Sequence, residues 1–315
     1  MTVLVTGASG FVGGRLVRAL RQHLPAQTRL IGWDRSPAVD AAEGVEWRAV
    51  DLTDAAAVAA AIADARPAQV FHLAALSSVG QAQGAACTTH DVNVGGTFNL
   101  AEALRRQSPG AGVIFASSGE IYGGAFAAGA PLAEGASVLP LNSYARSKLA
   151  AEFVLHDRLA DACPVVALRL LNHTGAGQDE RFVVPTFAAQ IARIEKGLHP
   201  PQVHVGNLAA ERDFLDVDDV IDAYVRALAI IDGEPGFRVF NVASGAPRSI
   251  ASILDRLVAL AKVPVTVDVD PARVRPVEIA RTLCDSSAFR ALTGWRPVRD
   301  FDATLADVLA WWRRR

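Results

Sequence analysis

The sequence predicts an α/β protein: a doubly wound, mostly parallel sheet joined to a smaller unit of mixed α/β character. Three observations carry that expectation. Short runs of β-branched and apolar residues alternate with longer helical patterns through the first half of the 315 residues. A glycine-rich turn (Gly7, Gly10, Gly13) directly follows the first such run. After about Leu171 the rhythm breaks into shorter pieces punctuated by proline. Strand, helix, strand in regular succession is the pattern of right-handed crossovers, with helices covering both faces of a parallel sheet.

Strands are expected at 2–6, 29–33, 46–50, 69–73, 112–116 and 165–170, each a short run of the residues that fit a buried pleat. Helices are expected between them at 12–23, 55–65, 92–107 and 143–160. In the second half the spacing of apolar residues suggests helices at 184–196, 217–231, 250–261 and 302–312, with strands at 203–205, 237–241 and 265–267. One unit is expected over 1–171, with a returning segment of about 214–242. The other comprises 172–213 and 243–315, packed at the carboxyl edge of the sheet, where open α/β sheets bind ligands.

Composition narrows the function. Hydrophobic residues make up 51% and charged residues 20%, which excludes a disordered chain. With 31 basic against 33 acidic residues, no global positive field exists to hold nucleic acid or an anionic membrane. The basic run at 313–315 reads as a solvated tail. Cys87, Cys163 and Cys284 are sparse and odd in number, which suits a reducing compartment and small buried apolar roles. The longest apolar run, 55–63, is too short to cross a bilayer, and Met1-Thr2 leads straight into the first strand. A cytoplasmic protein is expected.

Gly7, Gly10 and Gly13 are spaced G-x-x-G-x-x-G between the first strand and the first helix, with Phe11 and Val12 inside the turn. Backbone N–H groups at such a turn can approach a pyrophosphate, and Gly13 lets helix and strand pack closely. Its plain alternative is an ordinary turn. Asp34 closes the second strand, where a carboxylate accepts from ribose hydroxyls and repels a 2′-phosphate, favouring NAD(H) over NADP(H). Arg35 offsets part of that repulsion, so NADP(H) stays open. Asp51, followed by Leu52, ends the third strand near the place of an adenine, or else starts the turn before the alanine helix.

Tyr144 and Lys148 stand at i, i+4 on the start of a helix, hence on one face. An ammonium beside a phenol favours the phenolate and lowers the tyrosine pKa toward working pH. Upstream, an apolar strand ends in Ser117 and Ser118, which places hydroxyls at the same carboxyl edge. The histidines His72, His173 and His204 fall in separate elements without a carboxylate or cysteine at ligand spacing, so no metal is predicted.

Taken in order, TGASGFVG at 6–13, FHLAA at 71–75, NVGGT at 93–97, SSGEIYG at 117–123 and YARSK at 144–148 resemble the extended short-chain dehydrogenases/reductases of the NAD-dependent epimerase/dehydratase family. The resemblance covers nearly the whole chain. It implies a Rossmann-type cofactor unit and a sugar-nucleotide unit with the boundaries given above. It implies Ser118 as the catalytic hydroxyl, Tyr144 as the acid/base, and Lys148 as the residue that tunes Tyr144 and holds the nicotinamide ribose. Cofactor contacts by Leu73, Ala74 and Ala75, and a supporting role for Asn93, follow from the same similarity. So do substrate contacts by Ser77, Ser118, Glu120, Asn172 and Val183, with Arg212 and Arg275 as phosphate clamps. Bidentate guanidinium contacts suit a diphosphate, though either arginine could sit in a surface ion pair instead.

The stretch from Asn172 to Gln178, continuing to Pro185, is most similar to GDP-4-keto-6-deoxy-mannose reductases, with Ala176 where a proline is usual. That resemblance implies reduction of a C4 ketone on a GDP-sugar. GDP-mannose 4,6-dehydratases carry a threonine in place of Ser118 and use a glutamate at the position of Glu120. The chain keeps Glu120 but has Gly119 where dehydratases have an acidic or hydroxylic neighbour. A UDP-sugar 4-epimerase uses the same Ser–Tyr–Lys set. A redox-inactive dinucleotide-binding regulator is the alternative outside enzymes. The family also implies a homodimer through the helices at 92–107 and 143–160, which could equally be ordinary sheet-covering helices.

Overall fold

The computed structural model describes residues 1–36, 42–77, 84–231, 233–273 and 279–315. The chain opens with β1 (Thr2–Thr6), α1 (Phe11–His23), β2 (Arg29–Asp34), β3 (Val45–Ala49), α2 (Ala55–Ala65) and β4 (Gln69–His72). Next come α3 (Ala86–His90), a π-helical turn (Asp91–Gly95), α4 (Gly96–Gln107), β5 (Gly112–Ser118), α5 (Ser143–Leu159) and β6 (Pro164–Leu170). The segment that follows forms β7 (Asn172–Thr174), α6 (Val183–Glu195), β8 (Gln202–Val205), β9 (Glu211–Asp216), α7 (Val217–Ala227) and β10 (Gly236–Val242). The chain ends with β11 (Pro247–Ser249), α8 (Ile250–Ala259), β12 (Thr266–Val269), α9 (Ser287–Thr293) and α10 (Phe301–Arg313).

Seven strands make one parallel sheet in the order β10-β6-β5-β4-β1-β2-β3. The order turns around between β1 and β4, so the crevice of a doubly wound sheet opens there, at the carboxyl ends of the strands. Strand periodicity builds two cores. Val3 and Val5 pack with Leu16, Leu20 and Tyr224 on one face, while Leu4 packs with Val58, Ile62, Leu100 and Leu155 on the other. A third core joins α6, β8, α8 and α10 through Phe187, Ile191, Val203, Leu254 and Leu305. Two small sheets, β11-β9-β7 and β12-β8, bridge the irregular half.

Local chemistry explains the helix starts. The Asp54 carboxylate accepts from the N–H groups of Ala56 and Ala57 at 3.0 Å, so the alanine run of α2 has a cap as well as high intrinsic propensity. Asn142 caps α5, accepting from Ala145 N at 2.8 Å. That cap fixes where Tyr144 and Lys148 begin their turn.

Several expectations need correcting. Helix is present from Ala86, before the expected start at residue 92, and a π-helical turn interrupts it at Asp91–Gly95. β7, β9, β11 and α9 had no recognised signal: two of the strands are three residues long, and β9 reads ERDFLD, whose charges hide its pleat. Cys87 is exposed, unlike buried Cys163 and Cys284. Arg313 is not a solvated tail; its guanidinium donates to both Glu195 oxygens at 2.7 and 2.8 Å, and Arg315 stacks on Trp311.

Trp295 is fully buried against Phe289, and its Nε1 donates to the Asp219 carbonyl at 2.9 Å. It ties the segment after α9 to α7. Trp295→Ala is expected to lower the unfolding free energy by about 3–5 kcal/mol in urea denaturation; a loss under about 1 kcal/mol would show that this tie is dispensable.

Candidate active site

A cleft of about 890 Å³ opens at the switch point. Every site residue selected from the sequence lines it, except two. Asn93 lies behind the wall, and Arg275 falls outside the described residues.

The floor is the turn after β1. Gly7 has φ +68°, and a Cβ there would come within 2.8 Å of Ala74 N. A Cβ on Gly13 would overlap the Gly7 carbonyl oxygen. These two positions admit no side chain, so backbone N–H groups stay uncovered at the start of α1. Asp34 is half-buried beside the turn. Its Oδ2 accepts from Ser9 Oγ at 2.5 Å and Ser9 N at 3.3 Å, and its Oδ1 accepts from Arg35 N at 2.7 Å. Arg35 and Asp51 line the outer end, with the Asp51 carboxylate held below its usual range chiefly by Thr53 hydrogen bonds. A backbone anion cradle beside a carboxylate fits a dinucleotide, pyrophosphate on the turn and ribose toward Asp34.

Behind that floor runs a chain of proton donors with one consistent assignment. Thr97 Oγ1 donates to Asn93 O at 2.6 Å, so at 2.9 Å it accepts from His72 Nε2–H. His72 Nδ1 then accepts from Thr6 Oγ1 at 2.8 Å, and Thr6 Oγ1 accepts from Ala74 N at 3.2 Å. His72 is therefore neutral, and burial pushes its pKa down to about 3. Asn93 accepts from Leu76 N at 2.8 Å and donates to Leu76 O and Ser147 Oγ. It pins the loop after β4 to α5 rather than facing the cleft, and the π-helical turn is what presents it.

The reactive end lies where β5 stops. Ser118, Tyr144 and Lys148 are all buried at the wall. Lys148 Nζ donates to Ala116 O at 2.7 Å and lies 4.8 Å from the Phe115 ring. Burial lowers the lysine to about 7 against an upward pull from Glu152. The tyrosine differs from the expectation. Burial raises Tyr144 to about 12, a hydrogen bond with Ser118 lowers it, and the Glu120 charge raises it further. The acidifying contact here is the serine, and desolvation outweighs it. A phenol in that state is a proton donor at neutral pH.

The far wall carries Asn172 at the head of β7, Val183 at the head of α6, and Arg212 on β9. His173 is held by Leu171 O at 3.2 Å through Nδ1, and burial lowers its pKa. His204 pairs with Asp268 at 3.0 Å. Arg181, Phe187, Asn207 and Arg273 also line the cleft, unselected from sequence. They come from separate loops and helices, and only the third dimension gathers them.

Parallel sheet, glycine turn and the Ser–Tyr–Lys set together define an extended short-chain dehydrogenase/reductase. The model of the NAD dependent epimerase/dehydratase family matches residues 3–243, and the chain belongs to that family. It is 36% identical over 250 residues to the GDP-6-deoxy-D-mannose reductase of Pseudomonas aeruginosa, covering 79% of this chain and 81% of that one. It is 31% identical over 333 residues to the UDP-glucose 4-epimerase of Mycolicibacterium smegmatis, covering 100% and 99%. Among solved structures, RMD from Pseudomonas aeruginosa complexed with NADPH superposes with a TM-score of 0.83 at 31% identity, covering 100% of this chain and 99% of that one.

Alkaline difference spectroscopy tests the state of the phenols. Burial raises Tyr122 and Tyr144 to about 12 and raises Tyr224 as well. With folded values above the unfolded ones, the stability these phenols contribute is intact below about pH 10 and is lost as pH rises through the folded values. The folded protein should show no phenolate below about pH 10; a phenolate absent from Tyr144→Phe and formed near pH 8 would restore the acidified tyrosine.

Proposed function

We propose that the protein is a cytoplasmic, NAD(P)H-dependent nucleotide-sugar reductase acting on the C4 ketone of a GDP-4-keto-6-deoxy-hexose. The carrying observation is that Ser118, Tyr144 and Lys148 line the same cleft as the glycine turn, at the switch point of the sheet. In this reading residues 1–171 with about 214–242 hold the cofactor, and 172–213 with 243–315 hold the sugar nucleotide. Gly7, Gly10, Phe11, Val12 and Gly13 seat the pyrophosphate. Asp34 takes the adenosine ribose, and Asn172 and Arg212 take the substrate diphosphate.

When bound, the nicotinamide supplies hydride to the sugar carbon. The protein supplies the proton. Tyr144, neutral at working pH, gives its proton to the carbonyl oxygen while Ser118 hydrogen-bonds the same atom. The phenolate left behind is buried, and Lys148, one helical turn away, is the cation that offsets it. The Glu120 charge opposes that phenolate and so favours uptake of a proton from solvent by the tyrosine after product leaves.

Gly119 stands where dehydratases carry an acidic or hydroxylic residue; a Cβ there would meet Leu171 Cδ2 at 2.9 Å, so such a side chain would require the Leu171 side chain to shift. The GDP preference rests on the similarity to the Pseudomonas reductase. Asp34 favours NAD(H), while exposed Arg35 leaves room for NADP(H). A UDP-sugar 4-epimerase is the second reading, favoured by the full-length similarity to the Mycolicibacterium enzyme. A homodimer through α4 and α5 is part of the proposal, because Phe98 and Phe153 stand 41% and 57% exposed on those helices. Among the described residues no helix is long and apolar enough to cross a membrane.

Two measurements test this. Tyr144→Phe should bind NAD(P)H with unchanged affinity by fluorescence titration while reduction of the keto sugar falls about 10²–10⁴-fold; turnover within a few-fold of the parent would remove Tyr144 from the mechanism. In a thermal-shift panel with NAD(P)H present, GDP at roughly a hundred times its Kd should stabilise by about 2.7 kcal/mol, and UDP, CDP and dTDP should not. Stabilisation by UDP alone would move the assignment to the epimerase.

A further inference from the structure

Beneath the cleft lies a buried ion cluster that hydride and proton transfer do not themselves require. Glu152 follows Lys148 by one turn of α5 and is 4% exposed. Its Oε1 accepts from Ser117 Oγ at 2.5 Å and Arg169 Nε at 3.0 Å, and its Oε2 accepts from Arg169 Nη2 at 2.7 Å. Ser117 and Arg169 are register partners at the ends of β5 and β6, so two adjacent strands fix one carboxylate. Arg169 Nη1 donates onward to Tyr122 Oη at 3.1 Å and Glu134 O at 3.0 Å, and Tyr122 Oη donates to Asn241 Oδ1 at 2.8 Å. The guanidinium is thus held from β10 as well.

Lys148 is bonded to the carbonyl of Ala116, the residue just before Ser117. The titratable and charged groups around it are Tyr144 and Glu152 on α5, His72 on β4, and Arg169 on β6 beyond Glu152; Glu120 faces Tyr144. His72 is locked neutral between Thr6 and Thr97. Glu152 is therefore the anion that acts on the lysine. A buried carboxylate with two strand-borne clamps is costly to build, and removing one partner leaves a charge uncompensated. Such a carboxylate can instead fix a neighbouring charge.

We propose that Glu152, clamped by Arg169 and Ser117 one helical turn from Lys148, is a positioning residue: its fixed negative charge favours the ammonium form of Lys148, while the Ala116 carbonyl holds that group in place. This rests on the reading above that Lys148 serves Tyr144. The charge of Lys148 then depends on strands β5, β6 and β10 as much as on the cleft.

The sequence offers a clean probe, because it holds three lysines, and Lys196 and Lys262 are exposed. In protein labelled with [13Cε]lysine, the Lys148 resonance is identified by its loss in Lys148→Met, and its pH titration is followed without cofactor or substrate. Glu152→Gln is expected to shift the midpoint to lower pH, at least about tenfold in the ionisation constant. Ser117→Ala, which removes one clamp and keeps the carboxylate, should shift it the same way by less, and Glu152→Asp should recover part of the shift. The high-pH limb of the kcat profile should follow the midpoint. An unmoved midpoint in folded Glu152→Gln overturns the proposal; where that variant does not fold, an unmoved midpoint in Ser117→Ala overturns it. A moved midpoint supports it even without keto-sugar reduction, a result that would remove only the proposed function.

Discussion

The close approach of two backbones at the switch point is the constraint on which the site depends. Gly7, in a left-handed conformation, brings the turn after β1 against Leu73 and Ala74 at the end of β4. The contact leaves space for atoms of the backbone alone. It is reinforced from behind by Thr6, which accepts from Ala74 N and donates to His72, and by Asn93, which holds the next stretch of the same loop against α5. One polar chain therefore sets the distance between the cradle and the helix that carries Tyr144 and Lys148. A change at Thr97 or Asn93, neither of which lines the cleft, would be felt there as a displaced wall.

The same packing dries the reactive end, and drying decides its electrostatics. Tyr144 and Lys148 are both nearly inaccessible, so burial drives their pKa values in opposite directions, the phenol to about 12 and the ammonium to about 7. Both shifts disfavour the charged form. Burial thus keeps the phenol protonated and pulls the lysine below its ordinary value, with Glu152 opposing the second shift; a charged Lys148 then faces a phenolate only once the proton has left Tyr144. In low dielectric that pair is worth far more than in water, and the gain comes after proton transfer, where it lowers the barrier.

Much of this was legible in the sequence, for reasons that differ by region. The parallel sheet was readable because strands buried on both faces form apolar runs, such as GVIFA at 112–116. The glycine turn and the Tyr144–Lys148 pair were readable because each needs a fixed spacing along the chain. The direction of the tyrosine shift was not, since spacing places a lysine one turn away but says nothing of how dry the site is. The π-helical turn at Asp91–Gly95 escaped because an inserted residue leaves the apolar pattern of a helix nearly intact. Arg181 and Asn207 reach the cleft from loops and Arg273 from a single 3-10 turn at Pro271–Arg273, with no local pattern to mark them. Glu152 carried a signal that was available: a glutamate four residues after the lysine, on the same helical face, with an arginine ending a buried strand.

The protonation state also bears on the direction of chemistry. An epimerase must first take a proton from a sugar hydroxyl, so its tyrosine begins as a base. A ketone reductase must first give one, so its tyrosine begins as an acid. Desolvation and the Glu120 charge both favour the protonated phenol, with Ser118 opposing them, which suits Tyr144 to the role of acid in the proposed reaction. Charge developing on the carbonyl oxygen meets a phenol and a serine hydroxyl as donors. Those two donors are what the proposed ketone reduction calls for.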